Sequence, residues 1–335
     1  MDGTMTTWLE QMKTAAVKKP MPVLSFPCVQ LLACSVKDLI FDPNRQADGM
    51  KRVADRCETA AAVSMMDLSV EAQAFGSQIR VSDDEVPTVV GRILEDEADA
   101  DALEVPQVGA GRTGLYIEAI GQAVKQITDR PVFAGVIGPF SLAGRLMDMS
   151  EIMVNCYMEP DMVTKTLEKT TQFLIDYIRG YKAAGAHGVV MAEPAAGLLS
   201  PELNDAFSVP FVKRIVDAVQ DEHFLVIYHN CGNTLPLVDG ILSTGAAAYH
   251  FGNAVDMASI LTLMPGDALV MGNIDPAGQF RNGTPQSVRE STLALLHACA
   301  KHKNFVISSG CDIPPLSSWE NIDAFFGAVR EFYGQ

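Results

Sequence analysis

His229 and Cys231 stand two residues apart at the end of an apolar run in the stretch "VIYHNCG". Side chains two apart in extended chain point the same way, so both can turn toward one ion. Cys311, in "SSGCDIPP" directly after another apolar run, supplies a second thiol. One imidazole and two thiolates are the soft and borderline donors that zinc favours. Three protein ligands with an open fourth position belong to a catalytic zinc site, whereas structural sites are closed by four. Glu193, just after the run at 188–192, is a candidate exchangeable fourth ligand, and it joins Asp275, which follows the run at 268–272, as a candidate catalytic carboxylate. The plainer reading of an isolated His-x-Cys is a strand end with two packed side chains, because free cysteine behaves as a small buried hydrophobe. Cys28, Cys34, Cys57, Cys156 and Cys299 have no such company and read as packing residues. His187 precedes a strand, and His250 ends a run without a spaced partner.

These residues need strands to carry them. Eight short apolar runs qualify: 22–26, 63–67, 132–137, 188–192, 224–228, 246–250, 268–272 and 305–309. Between most of them lie helical patterns. One starts at Pro160, carries Val163, Leu167, Leu174, Ile178 and Tyr181 on one face, and stops at Gly185. Another takes Thr284 as N-cap and Pro285 in its first turn, with an apolar face through Val288, Leu295 and Cys299. Runs that are apolar throughout and alternate with helices imply a parallel sheet covered by helices. Eight such units suggest closure into a (β/α)8 barrel, whose active site sits at the C-terminal ends of the strands. The chain reads as a single barrel domain over 1–335 with an insertion around 70–131. Within that insertion, "SQIRVSDDEVPTVV" suits an exposed hairpin and "LEDEADADALEVP" an acidic surface linker.

Composition narrows the function classes. Lys and Arg number 25 against 41 Asp and Glu, a net charge of −16 with no local basic patch, which disfavours nucleic acid and anionic membrane surfaces. No apolar segment is long enough to span a bilayer and no signal-peptide core is visible, so a cytoplasmic location is expected. Seven scattered cysteines in a long chain do not read as a disulfide framework.

The order of "GPFSLAGRLM" (138–147), "EPAAGLLSP" (193–201), "YHNCG" (228–232), "MGNIDPAGQF" (271–280) and "SSGCDIPP" (308–315) resembles the uroporphyrinogen decarboxylase superfamily, from about residue 20 to the C-terminus. The resemblance implies a (β/α)8 barrel of that type. Its decarboxylase branch carries an Arg-Gln-Ala-Gly-Arg segment after the first strand. This chain has "FPCVQLLAC" there, and "NRQAD" at 44–48 is only an echo of it. Its other branch, the methylcobamide:coenzyme M methyltransferases, takes zinc on His-x-Cys and a distant Cys, which His229, Cys231 and Cys311 match.

The resemblance therefore implies a zinc-dependent methyltransferase of one-carbon metabolism. It would move a methyl group between a methylated corrinoid, such as methylcobalamin, and a small acceptor, most simply a thiol such as coenzyme M activated as its zinc thiolate. Zinc coordination would deprotonate a thiol that is mostly neutral at pH 7. No Asp-x-His-x-x-Gly corrinoid signature occurs in the chain, so the corrinoid is expected on a partner corrinoid protein or free in solution. The rival readings are a uroporphyrinogen decarboxylase-like enzyme, transfer from a methyl donor to Co(I) corrinoid, and a zinc-dependent docking module for a corrinoid protein without turnover.

Overall fold

Seven of the eight apolar runs become parallel strands because nearly every residue in them is buried on both faces, which leaves no polar side to turn outward. The structure, a computed structural model, describes residues 3–334. In chain order the strands are β1 (Ala62–Val63), β2 (Gln78–Arg80), β3 (Thr88–Val90), β4 (Val132–Ile137), β5 (Gly188–Ala192), β6 (Leu225–Asn230), β7 (Ala248–Phe251), β8 (Leu269–Ile274) and β9 (Phe305–Ser309). The parallel sheet runs β1-β4-β5-β6-β7-β8-β9, while β2 and β3 pair with each other alone.

The first run, 22–26, forms no ladder strand. Pro20 and Pro22 have no N–H to donate, so hydrogen bonding is limited to the residues between and beside them. The segment nevertheless occupies the eighth place in the ring. Met21 N–H donates to Ile307 O of β9 at 3.0 Å, and Ala60 N–H, just before β1, donates to Pro20 O at 2.9 Å. The result is a (β/α)8 barrel closed on one side by a sparsely bonded seam.

Strand parity divides the core in two. Val63, Phe133, Val190, Leu225, Ile227, Ala248, Leu269, Met271 and Val306 point inward and pack with Trp8 and Met12 of the N-terminal helix Met5–Thr14, which plugs the barrel from below. Their neighbours along each strand face outward, where the covering helices complete a larger cluster. The helix Pro160–Ala183 ends as expected before Gly185, whose φ of +98° only glycine adopts without strain. The helix Pro285–Cys299 has Thr284 as N-cap in a capping box with Ser287, and Leu296 rather than Leu295 is the fully buried leucine of its inner face.

The stretch between β1 and β4 differs in part from the sequence reading. The hairpin is present as β2 and β3, in register Ile79 to Val89. The acidic "LEDEADADALEVP" contains a short helix, Glu97–Ala102, because Asp96 accepts the Asp99 N–H as its N-cap. Beyond it, Thr113–Gln126 is a full barrel helix that buries Tyr116, Ala119, Ile120 and Ala123. Much of this stretch is therefore the regular crossover between two neighbouring strands.

Candidate metal centre

His229 lies on β6 at the position where its inward parity, Leu225 and Ile227 below it, reaches the mouth of the barrel. Cys231 follows one residue beyond the strand, in a turn shaped by Asn230. The Asn230 side chain donates to Glu193 O and accepts the Gly232 N–H at 2.8 Å, which bends the chain immediately after the thiol. Gly252, after β7, leaves the room this turn needs, since a Cβ there would lie 2.5 Å from Cys231 Cα. Cys311 arrives from the far side, where Gly310 N–H donates to Ile274 O at the end of β8. The ligand atoms of His229, Cys231 and Cys311 all lie within 4.8 Å of one another. The imidazole is buried and both thiols are partly open.

Hydrogen-bond partners fix which imidazole nitrogen faces this cluster. Ser308 Oγ donates to Met21 O at 2.7 Å, so it must accept from the His250 Nε2–H that lies 2.7 Å away. His250 is kept neutral by burial, its pKa well below the ordinary value, so its Nδ1 carries a lone pair. That lone pair accepts the His229 Nδ1–H at 2.7 Å, and the same hydrogen also faces His250 O at 3.2 Å. His229 Nε2 is left with its lone pair free, buried and without a protein partner. An unpartnered buried acceptor beside two thiols is what a metal ligand looks like before the metal, and its other nitrogen is already oriented by a second residue. The Cys231 thiol is held far below the ordinary thiol range, first by the hydrogen bond from Cys311 and then by His229, against burial. Cys311 is pushed well above that range by the same bond and by burial. The donor set fits zinc.

The two carboxylates singled out in the sequence sit differently. Glu193 is fully buried, and its oxygens accept the Phe140 N–H at 3.0 Å and the Ser141 N–H at 2.6 Å, capping the helix Pro139–Met147. Burial pushes its pKa up to about 7 against the lowering effect of these bonds. It is not in the group of ligand atoms that lie within 4.8 Å of one another, and reaching a metal there would cost it the cap. Asp275 accepts the Ala277 and Gly278 N–H groups and shapes the turn after β8. His187, at the opposite end of the barrel, accepts the Val132 N–H through Nδ1, and Cys28, Cys57, Cys156 and Cys299 are buried in packing positions.

Two further carboxylates at the mouth, Asp67 and Asp312, stand at strand ends in the sequence, but their partners are not readable from it. Asp67 is locked with Arg112, accepting from that guanidinium, from Tyr116 O–H and from Ser69, so its carboxylate is fully used inside the protein. Asp312, next to Cys311, accepts the Met66 N–H at 2.9 Å and so ties the Cys311 loop across to the segment that follows β1. His250 was visible as a strand end, but its partner lies in register on the adjacent strand, His229 opposite His250, and not at any sequence spacing. The alignment of inward positions on the two runs is the signal that would have found it.

Residues 23–332 match the family described as uroporphyrinogen decarboxylase (URO-D). A methylcobamide:CoM methyltransferase MtbA from Methanosarcina mazei is 25% identical over 336 residues, covering 96% of this chain and 97% of the relative. A uroporphyrinogen decarboxylase from Synechococcus is 28% identical over 256 residues, covering 72% of this chain and 70% of the relative. Among solved structures, a methyltransferase from Methanosarcina mazei superposes with a TM-score of 0.87 at 22% identity, covering 99% of this chain and 100% of that one. Identity alone does not divide these relatives, so the chemistry of the site must.

Proposed function

The chain belongs to the uroporphyrinogen decarboxylase (URO-D) family, and from that premise we propose that it is a zinc-dependent methyltransferase acting between a methylated corrinoid and a small thiol acceptor. The observation that carries this reading is the buried, unpartnered His229 Nε2, on a residue whose ligand atom lies within 4.8 Å of the Cys231 and Cys311 sulfurs. A decarboxylase of a polycarboxylate needs cationic partners and a free carboxylate. Here Asp67 is spent on Arg112, and the chain carries a net charge of −16.

His229, Cys231 and Cys311 would hold the ion. Zinc, when bound, supplies the positive charge that favours the thiolate form of an acceptor thiol at neutral pH. The protein's own contribution is preparatory. The Cys231 and Cys311 sulfurs lie close together where both can become ligands with release of their protons, and His250 holds the His229 ring so that no reorientation is needed. Two thiolates donate charge to the site and keep the acceptor sulfur nucleophilic. The transferred methyl group leaves the corrinoid cobalt without its bonding electron pair and joins the acceptor sulfur, while the barrel mouth supplies alignment. Glu193 and Asp275 serve by position, each holding the first turn of a segment that borders the mouth. Zinc content in this reading is close to one per chain, and loss of methyl-cobalt absorbance from methylcobalamin accompanies thiol methylation. Protein isolated with zinc supplied that carries no metal, or that transfers no methyl group to any thiol, would defeat the proposal.

A further inference from the structure

The loops that carry Cys231 and Cys311 share no backbone hydrogen bond among the described residues, and their strands, β6 and β9, stand three places apart in the sheet. Something else must set the distance between the sulfurs. The turn 252–255, directly after β7, lies between the two loops and touches both. A Cβ on Gly252 would sit 2.6 Å from Cys231 Cβ and 3.0 Å from Gly310 O, while one on Gly310 would sit 2.7 Å from Asn253 Oδ1 and 3.0 Å from Asn253 N. Contacts too close to admit a methyl group leave the turn no slack against either loop.

The turn does not hold itself. Its closing bond, from Val255 N–H to Gly252 O, is 3.5 Å long, and Asn253 and Ala254 between them are exposed. Two outside anchors fix it. On one side, Gly252 N–H donates to the carbonyl of Asn230, the residue before Cys231, at 3.0 Å. On the other, the half-buried Asn273 of β8 donates from Nδ2 to Gly252 O at 3.0 Å and to Val255 O at 2.8 Å. Facing two carbonyls, the amide must present its nitrogen and not its oxygen. The next residue, Ile274, accepts the Gly310 N–H at 2.6 Å, so two adjacent residues of β8 hold the turn and the Cys311 loop together.

We propose that the turn 252–255 is the spacer that sets the separation of Cys231 and Cys311, and that Asn273 is the positioning residue that keeps the spacer in place. Two sulfurs can bind one zinc ion only at a spacing that suits Zn–S bonds of about 2.3 Å, so a loosened spacer lowers affinity without removing a ligand. The spacing itself stands on the contacts of the turn, while its consequence for zinc rests on the metal site proposed above.

A metal-free measurement separates the two. Metal-free protein is treated with dibromobimane, which becomes fluorescent when two neighbouring thiolates displace both of its bromides, and peptide mapping measures the Cys231–Cys311 bridge. Zinc affinity is measured in parallel by competition with a chelator. Asn273→Ala removes the two bonds, Asn273→Asp keeps the shape but sets an oxygen against both carbonyls, and Gly310→Ala leaves Asn273 alone and crowds the turn from the Cys311 side. The control is Asn304→Asp, because Asn304 Nδ2 likewise donates to two carbonyls, Pro265 O at 3.1 Å and Ala268 O at 2.8 Å, but just before β9 at the opposite end of the barrel. Wild type and Asn304→Asp are expected to bridge alike and bind zinc alike, whereas the Asn273 and Gly310 variants should form about a tenth as much bridge and bind zinc about tenfold more weakly. Absence of the bridge in wild type, undiminished bridging in Asn273→Ala or Gly310→Ala, or an equal loss in Asn304→Asp overturns the proposal without touching the metal site. Bridging that depends on Asn273 in a protein that binds no zinc upholds the spacer and overturns the metal site instead.

Discussion

The His229 and His250 imidazoles meet Nδ1 to Nδ1 at 2.7 Å, and only one of the two nitrogens can own the hydrogen between them. Ser308 and Met21 decide the matter from the far side of His250, so the tautomer of a candidate metal ligand is set by a backbone carbonyl in the proline-bounded first run. Replacing His250 with Phe keeps the volume and removes the acceptor. Zinc affinity, measured by competition with a chelator, should fall about 10- to 100-fold, with the ligand set unchanged in the spectrum of the cobalt-substituted protein. His250→Asn, which keeps an acceptor, should lose less. Unaltered affinity in His250→Phe would mean that the His250 carbonyl alone orients His229.

Cys311 stands on a loop and contributes one of the three candidate ligands, so Cys311→Ala should leave the fold intact and abolish most zinc retention and thiol methylation. Cys299 is the control. It is fully buried on the inner face of the helix Pro285–Cys299, and Cys299→Ala should cost about 1 kcal/mol in stability and leave zinc binding alone. Thermal unfolding and metal analysis of the two variants separate packing from ligation, and full zinc retention by Cys311→Ala would remove that residue from the site.

Gly252 contributes only the absence of a side chain. A methyl group there would lie 2.5 Å from Cys231 Cα and 2.6 Å from its Cβ, so Gly252→Ala must push the Cys231 turn away from β7. The expected result is weakened zinc binding in a protein whose circular dichroism is close to wild type. The outcome that counts against this geometry is zinc affinity within twofold of wild type.

Glu71 offers a pH signature remote from the metal ligands. Burial raises its pKa from 4.5 to about 8, with the Ile137 N–H as the largest opposing influence. A carboxyl group whose folded pKa lies above its unfolded value favours folding less as pH rises, because the unfolded chain releases the proton first. The loss begins near the unfolded value, is complete once pH passes the folded value near 8, and is on the order of a few kcal/mol. Glu71→Gln keeps an oxygen for the Ile137 N–H and cannot ionise, so its stability relative to wild type should increase between pH 5 and pH 8.5. Denaturant melts in that range test this, and a difference that does not vary with pH rules it out.

The barrel was legible in the sequence, and so was the convergence of His229, Cys231 and Cys311 on one spot, because each follows a simple rule of strands. Strands buried on both faces announce themselves as unbroken apolar runs, and side chains at the ends of barrel strands converge whatever their separation along the chain. The first run was legible as a place in the ring but not as a ladder strand, since Pro20 and Pro22 remove its donors. The helix Thr113–Gln126 was hidden by Gly114 and Gly121 and by the acidic stretch before it, although it buries the usual apolar stripe. The pairing of His250 with His229 depends on strand register, which is not written in local spacing.

The proline-interrupted seam has a consequence for how metal and fold communicate. Met21 is held to β9 by its own N–H and, through its carbonyl, by the Ser308 hydroxyl that fixes His250. Opening the seam would release that hydroxyl to turn toward His250, and the hydrogen between the two imidazoles would no longer have a single owner. By the same linkage, an ion that demands a free His229 Nε2 works against opening at Met21, some two hundred residues away along the chain. The metal would act as a latch for the one join that backbone pairing leaves loose, and amide exchange at Met21 would slow when zinc is added.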